Sequence, residues 1–276
     1  MTRTTCVVIA VALVLAGLAP AQDGVTKYVR YAHDGETSYG ILEGETVHEL
    51  DGDLFGSRAR TGRTLSLDAV RLLAPCEPSK VIAVGLNYKS HLGGAEPAEY
   101  PGLFLKLPTS IVGPDDEIVM TSDATDLHYE AELVVVIGKK AKNVSVADAS
   151  RHVLGVTAGN DVSERVWQNG DLQWFRGKAS DTFGPMGPVV VAGLDHGDLG
   201  LESRVNGEVR QKGRTSDLIF DIETIVSYVS RYVTLLPGDV IFTGTPGRTR
   251  AMKPGDVVEV EVEGVGILRN TVVAPR

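Results

Sequence analysis

HYEAELVVVIG, residues 128–138, decides how the rest of the chain is read. Glu130 and Glu132 stand two apart, and Leu133 to Ile137 follow as an unbroken apolar run. Side chains alternate faces along a strand, so residues two apart point the same way. The stretch reads as a strand that starts with two carboxylates on one face and is then buried on both sides. Like charges that close, and partly desolvated, repel unless something positive lies between them. A divalent cation is the functional reading, and a solvated strand end is the bland one. The segment VEVEVE, 258–263, is an internal control. There Glu259, Glu261 and Glu263 keep alternating with Val, as on a strand with one wet face.

Working outward, 43% of the 276 residues are hydrophobic, enough for a sizeable core. The 31 glycines and the 6% of aromatic residues suit a strand-rich fold with many turns. Residues 25–73 read as short alternating strands with a helical piece, SLDAVRLLAP, at their end. SKVIAVGLNY reads as a strand, and VADASRHVLGVTAGNDVSERVWQ has helix-like spacing. SRVNGEVRQKG looks like a hairpin and DIETIVSYVSRY like a helix. Two Pro-Gly-Asp turns punctuate the last strands. The expected fold is mixed α+β, predominantly β, with a small β-rich N-terminal domain over 22–73 and a large domain over 74–276.

Residues 1–21 stand apart. Arg3, an apolar stretch from Cys6 to Leu18 and then Ala19-Pro20-Ala21 form the pattern of a secretory signal peptide cleaved after Ala21. The rival, a membrane anchor, needs about 20 apolar residues, and no later stretch is apolar enough to span a bilayer. The expected location is secreted or periplasmic. Cleavage removes Arg3 and leaves 26 basic and 36 acidic residues, a formal charge of −10. That balance argues against nucleic acid or an anionic membrane surface as partner. Cys76 then remains as the only cysteine, so no internal disulfide is expected.

No G-x-S-x-G, H-E-x-x-H, G-x-x-x-x-G-K-[ST], G-x-G-x-x-G or C-x-x-C occurs. Serine esterases, zincins and nucleotide or dinucleotide enzymes lose weight accordingly. What remains is carboxylates, a well-placed His and a Lys. Oxygen ligands without neighbouring Cys or His favour Mg²⁺ or Mn²⁺, with Ca²⁺ as an alternative, over Zn²⁺. Asp161 offers a third ligand, although an Asn-Asp pair is also a common helix cap. His128 shares the parity of Glu130 and Glu132 and so lies on the same face.

Together GLNYKSH (85–91), HYEAELVVVIG (128–138), AGNDVSERVWQ (158–168), RGKASDTFGPMGP (176–188), PGDVIFTGTP (237–246) and KPGDVVEVEVEGVGILRN (253–270) resemble the fumarylacetoacetate hydrolase family. The resemblance covers about residues 75–273 and implies a β-roll catalytic domain, usually dimeric, holding Mg²⁺ or Mn²⁺. It implies Glu130, Glu132 and Asp161 as metal ligands and Lys178 as the cation facing developing negative charge. Arg165, Gln168 and Thr245 match substrate-contacting positions, and His91 matches a general base on a mobile lid. The family commonly pairs that His with a Glu three residues on, where this chain has Gly94; Glu96 lies two residues further.

The implied function is metal-dependent hydrolysis of a C–C bond in an acylpyruvate-type keto acid, by a homodimer with a small-molecule substrate. The alternatives are oxaloacetate-type decarboxylation, which needs no water attack, keto-acid isomerisation or hydration, and an exported keto-acid-binding protein without turnover.

Overall fold

The apolar run of 131–137 forms an inner strand of the larger sheet. In the computed structural model, which describes residues 24–275, every residue of the Ala131–Ile137 strand is buried. It pairs antiparallel with Val153–Asn160 on one side and Val240–Phe242 on the other. Leu133, Val135 and Ile137 enter one apolar cluster with Val156, Val191, Ile225 and Val260. Val134 and Val136 enter another with Ala83, Val190 and Phe242. A strand with a core on each face has no wet side, which is why its pattern is solid rather than alternating. Each such side chain contributes about 1.5–3 kcal/mol by burial.

The larger sheet runs from Arg60–Ser66 through Thr46–Leu50, Glu36–Glu43, Thr26–His33, Gly184–Ala192, Val153–Asn160, Ala131–Ile137, Val240–Phe242 and Val81–Gly85 to Gly102–Lys106. Thr26–His33 pairs with Gly184–Ala192, so the N-terminal strands lengthen this sheet. The expected signal peptide, 1–21, lies outside the described residues. A five-stranded sheet holds Glu208–Arg214, Gly200–Val205, Val257–Val262, Gly266–Val273 and Glu117–Val119. Its Val257–Val262 strand buries Val258, Val260 and Val262 and leaves Glu259 and Glu261 half-exposed, as the alternation predicts. Val260, Val262 and Leu268 pack into the cluster of Leu133, joining the two sheets. The fold is mixed α+β and predominantly β, as expected.

The hairpin read in SRVNGEVRQKG is present, turning at Asn206-Gly207 with φ of 52° and 79°. Two positive φ values in a two-residue loop are what a type I′ turn requires. The helix read in DIETIVSYVSRY spans Ile222–Tyr232, with the Asp221 side chain accepting from the Thr224 N–H at 2.8 Å as its cap. Ile222, Ile225, Val226 and Val229 of this helix cover the first cluster. Among the described residues no helix is long and apolar enough to cross a membrane.

Three local expectations are corrected. The helix-like stretch from Val146 to Gln168 is helical only at Val146–Ala149, continued by a 3-10 turn at Ser150–His152, and at Arg165–Gly170, and Val153–Asn160 is a central strand. Its neighbours override the spacing: a Cβ on Gly155 would meet the Val191 carbonyl oxygen at 2.3 Å, and one on Gly159 the Val134 side chain at 2.4 Å. Those glycines let three strands lie close. SLDAVRLLAP yields one short turn, Leu67–Ala69, and a strand pair, Arg71–Leu72, beside Thr26–His33. The strand read through 128–138 is broken at Tyr129-Glu130: Leu127–His128 pairs with Ser163–Glu164, and the long strand starts at Ala131.

Candidate metal centre

That break is where the acidic residues meet. The Glu130 N–H donates to the Asn160 side-chain oxygen at 2.8 Å, and the Glu130 carbonyl accepts from the Asp161 N–H at 2.9 Å. These bonds tie the start of one central strand to the end of its neighbour and bring Asp161 beside Glu130. Glu132, one step into the strand, accepts from the Gly244 N–H at 2.7 Å. Glu130, Glu132 and Asp161 each offer a carboxylate oxygen within 4.8 Å of the others, and all three are buried. Asp161 caps no helix; that task falls to Glu164, which accepts from the Trp167 N–H at 2.7 Å.

Three cations surround the acids. Lys178, on the Phe175–Ala179 helix, places Nζ 2.6 Å from Glu130 Oε2 and 2.6 Å from Asp161 Oδ2. Lys106, at the end of the edge strand Gly102–Lys106, places Nζ 2.6 Å from Asp161 Oδ1 and also donates to the Lys178 carbonyl. Arg165 donates to Glu130 Oε1, to Thr249 Oγ1 at 2.8 Å and to Gln168 Oε1 at 2.6 Å.

The electrostatics divide the two glutamates. Burial works against the Glu130 charge, but Lys178, Arg165 and His91 outweigh it and hold its carboxyl well below the usual carboxylate range. Burial pushes Glu132 well above that range, with Asp161 and Glu130 adding to the shift. Burial opposes the Lys178 ammonium too, yet Asp161 and Glu130 raise it overall, while for Lys106 burial wins and lowers it. The cations thus serve Glu130 and Asp161, and Glu132 has one backbone N–H. An additional positive charge among the three carboxylates is what this donor set accommodates. Its hard oxygens suit a divalent ion of the Mg²⁺ or Mn²⁺ type.

His91, Lys178, Glu130, Glu132, Asp161, Gln168 and Thr245 line one pocket, together with Val84, Gly85, Leu86, Phe104 and Trp174. Arg165 is not among the lining residues but bonds two of them, Glu130 and Gln168. Thr245 Oγ1 donates to the Ala131 carbonyl at 2.8 Å and accepts from Gln211 Nε2 at 2.8 Å. His91 places Nδ1 2.5 Å from the Gly247 carbonyl oxygen and Nε2 3.6 Å from Glu130 Oε1. Gly94 and Glu96 are exposed, and His91 is joined to neither. His128 bonds Asp126 and Thr249, at 2.9 and 2.8 Å, and so reaches the acids only through Arg165.

Sequence reasoning missed Lys106, Gln211 and the aromatic wall. A Lys closing the apolar run GLFLK, before Leu107-Pro108, was the available signal for the first. Nothing distinguishes Gln211 from the other polar residues of its strand. Trp174 lies edge-on to Phe104 with ring centres 5.3 Å apart, and Lys178 Nζ sits 5.0 Å from the Phe104 ring centre.

The chain is similar to known proteins over most of its length. The profile of the Rv2993c-like N-terminal domain matches residues 26–75. Protein Rv2993c of Mycobacterium tuberculosis is 44% identical over 257 residues, which are 88% of this chain and 97% of that protein. The human mitochondrial oxaloacetate tautomerase FAHD2A is 44% identical over 221 residues, 74% of this chain and 70% of its own. The crystal structure of 5-carboxymethyl-2-hydroxymuconate delta-isomerase from Mycobacterium smegmatis superposes with a TM-score of 0.86 at 45% identity, covering 90% of this chain and all of that one. The profile of the fumarylacetoacetate (FAA) hydrolase C-terminal domain spans residues 80–273 and takes in every pocket residue above, so the chain belongs to the fumarylacetoacetate hydrolase family.

Proposed function

We propose that the chain is a divalent-metal-dependent enzyme that moves a proton between carbon and oxygen of a 2-keto acid, interconverting its keto and enol forms. The observation that carries this reading is the setting of His91. Its Nδ1 faces a carbonyl oxygen, which only accepts, so Nδ1 carries the hydrogen and Nε2, on the pocket side, is the basic nitrogen. Glu130, Glu132 and Asp161 would hold Mg²⁺ or Mn²⁺, which when bound supplies Lewis-acid stabilisation of an enolate. Lys178 brings a fixed positive charge to the same pocket, where an oxyanion develops. His91 takes the proton from the carbon next to the keto group and delivers it to the enolate oxygen, and the reverse reaction runs the same path backward. The names of the human tautomerase and the mycobacterial isomerase support the reading, because tautomerisation and isomerisation both keep every substrate atom.

Hydrolysis of a C–C bond in an acylpyruvate is the second reading. It is favoured by the apolar end of the pocket, Val84, Leu86, Phe104 and Trp174, which suits an acyl group. It ranks behind because it adds a water attack to the same enolate chemistry, and neither the human tautomerase nor the mycobacterial isomerase is named for one. Decarboxylation forms the same enolate without water.

The test uses residues 22–276 with Mn²⁺, and Glu132→Ala as the blank. Enol absorbance of oxaloacetate, carbon dioxide release from it and acetate release from acetylpyruvate are followed in parallel. Metal-dependent loss of enol absorbance without acetate is expected. Acetate release would make the chain a hydrolase, carbon dioxide alone a decarboxylase, and metal binding without any turnover a binding protein.

A further inference from the structure

The place where the family pattern has a carboxylate for His91 holds Gly94, and Glu96 points to solvent. Something else must fix the imidazole, and the structure shows what. One residue, Gly247, contacts the His91 turn twice. Its carbonyl accepts from His91 Nδ1 at 2.5 Å, and its N–H donates to Ser90 Oγ at 3.0 Å. The two bonds run in opposite directions between the same two segments, so neither segment slides without breaking one of them.

Gly247 is itself held in register with the acidic strand. Gln211 Nε2 donates to Thr245 Oγ1 at 2.8 Å and to the Pro246 carbonyl at 2.7 Å, and Thr245 Oγ1 donates to the Ala131 carbonyl at 2.8 Å. Ala131 lies between Glu130 and Glu132. Gly247 has φ of +66°, a conformation that costs glycine nothing and a residue with Cβ something. From the other side the His91 N–H donates to the Tyr88 carbonyl at 2.9 Å, and Asn87 Nδ2 donates to the Thr243 carbonyl at 2.8 Å. The imidazole is therefore anchored to the segment 243–247 at both ends of its turn.

We propose that Ser90 and Gly247 form a clamp that orients His91 in place of a carboxylate, with Ser90 as a positioning residue. The carbonyl selects the Nδ1–H tautomer and turns Nε2 toward Glu130, as a carboxylate would. Unlike a carboxylate it adds no negative charge. That His91 then acts on a substrate rests on the proposed function; that the clamp sets its tautomer does not.

The experiment separates the two. Protein with ¹⁵N-labelled histidine is loaded with Mg²⁺, and long-range ¹H–¹⁵N spectra are recorded under conditions where the ring is neutral. The His91 signals are assigned by their loss in His91→Gln. The clamp requires the Nδ1–H tautomer in the wild type and a mixture with Nε2–H in Ser90→Ala. Ser90→Thr, which keeps the hydroxyl, restores the wild-type spectrum. Gly247→Ala, strained at its positive φ, displaces the carbonyl and reproduces the Ser90→Ala change as a second variant. In turnover, Ser90→Ala lowers kcat by about tenfold, a small part of the ~10²–10⁴ a general base contributes, with KM near the wild-type value. An Nε2–H tautomer in the wild type, or an unchanged spectrum in Ser90→Ala, overturns the clamp. A tautomer change in Ser90→Ala alongside a wild type that turns over no keto acid upholds the clamp and sinks the proposed function instead.

Discussion

Lys106 Nζ lies 2.6 Å from Asp161 Oδ1, and solvent reaches neither side chain. A buried charge is tolerated only with its partner, and removing one member of such a pair typically costs about 3–5 kcal/mol. Lys106→Met keeps the side chain's bulk and removes its charge. We expect the metal-free variant to lose stability on that scale. Added Mn²⁺ should raise its melting temperature more than it raises that of the wild type, because a dication among the acids replaces the lost neutralising charge. Melting curves with and without MnCl₂ check this. A variant that melts like the wild type without metal would show that Lys106 does not balance Asp161.

Glu130 and Glu132, two residues apart, should respond to neutralisation with opposite sign. Glu130 is held below its unfolded value, about 4.3, by Lys178, Arg165 and His91 acting against burial. Its charged form therefore adds stability above that pH, lost as pH falls through the folded value. Burial, Asp161 and Glu130 hold Glu132 above its unfolded value. The metal-free fold thus loses stability as pH rises from about 4.3 toward the raised folded value. At neutral pH and without metal, Glu130→Gln should melt below the wild type and Glu132→Gln above it. With Mn²⁺ present, Glu132→Gln should gain nothing. Two variants shifting in the same direction would contradict the division of charge in the site.

These two glutamates also mark how far the sequence carried. Their parity and the solid run behind them were legible, because a strand with a core on each face needs apolar residues at every position. The same rule hid Val153–Asn160, where glycines admitted for close strand packing mimic no strand pattern. The break at Tyr129-Glu130 was invisible because it depends on Asn160, thirty residues on, taking the Glu130 N–H. Lys106 and Gln211 read as ordinary polar residues, since burial is a property of their partners and not of their neighbours in sequence. The anchor of His91 could not be read either, for it is a backbone carbonyl.

Glu96 was the sequence's candidate to replace the carboxylate missing at Gly94. It is exposed, and His91 bonds Gly247 instead. Glu96→Gln should leave kcat/KM for the turned-over keto acid within about twofold, as surface changes away from structural features usually do. His91→Ala should remove most of the rate. Steady-state kinetics of both variants side by side decide the matter: a Glu96→Gln rate falling as far as that of His91→Ala would return Glu96 to the site.

Gln211 supports the acids without touching them. Its Oε1 accepts from the Ala131 N–H and from Ser203 Oγ, both at 3.0 Å, and its Nε2 donates to Thr245 Oγ1 and the Pro246 carbonyl. All four partners lose a bond in Gln211→Leu, and each buried polar group left unpaired costs about 1–3 kcal/mol. Ala131 stands between two carboxylates whose spacing sets the metal site, so its displacement should reach them. Supporting residues of this kind typically cost about 10–100-fold in metal affinity when removed. We therefore expect Gln211→Leu to unfold at lower urea concentration and to bind Mn²⁺ at least about tenfold more weakly, as read by calorimetric titration. Lower stability with unchanged Mn²⁺ affinity would mean that Gln211 holds the hairpin to the sheet and leaves the carboxylates where they are.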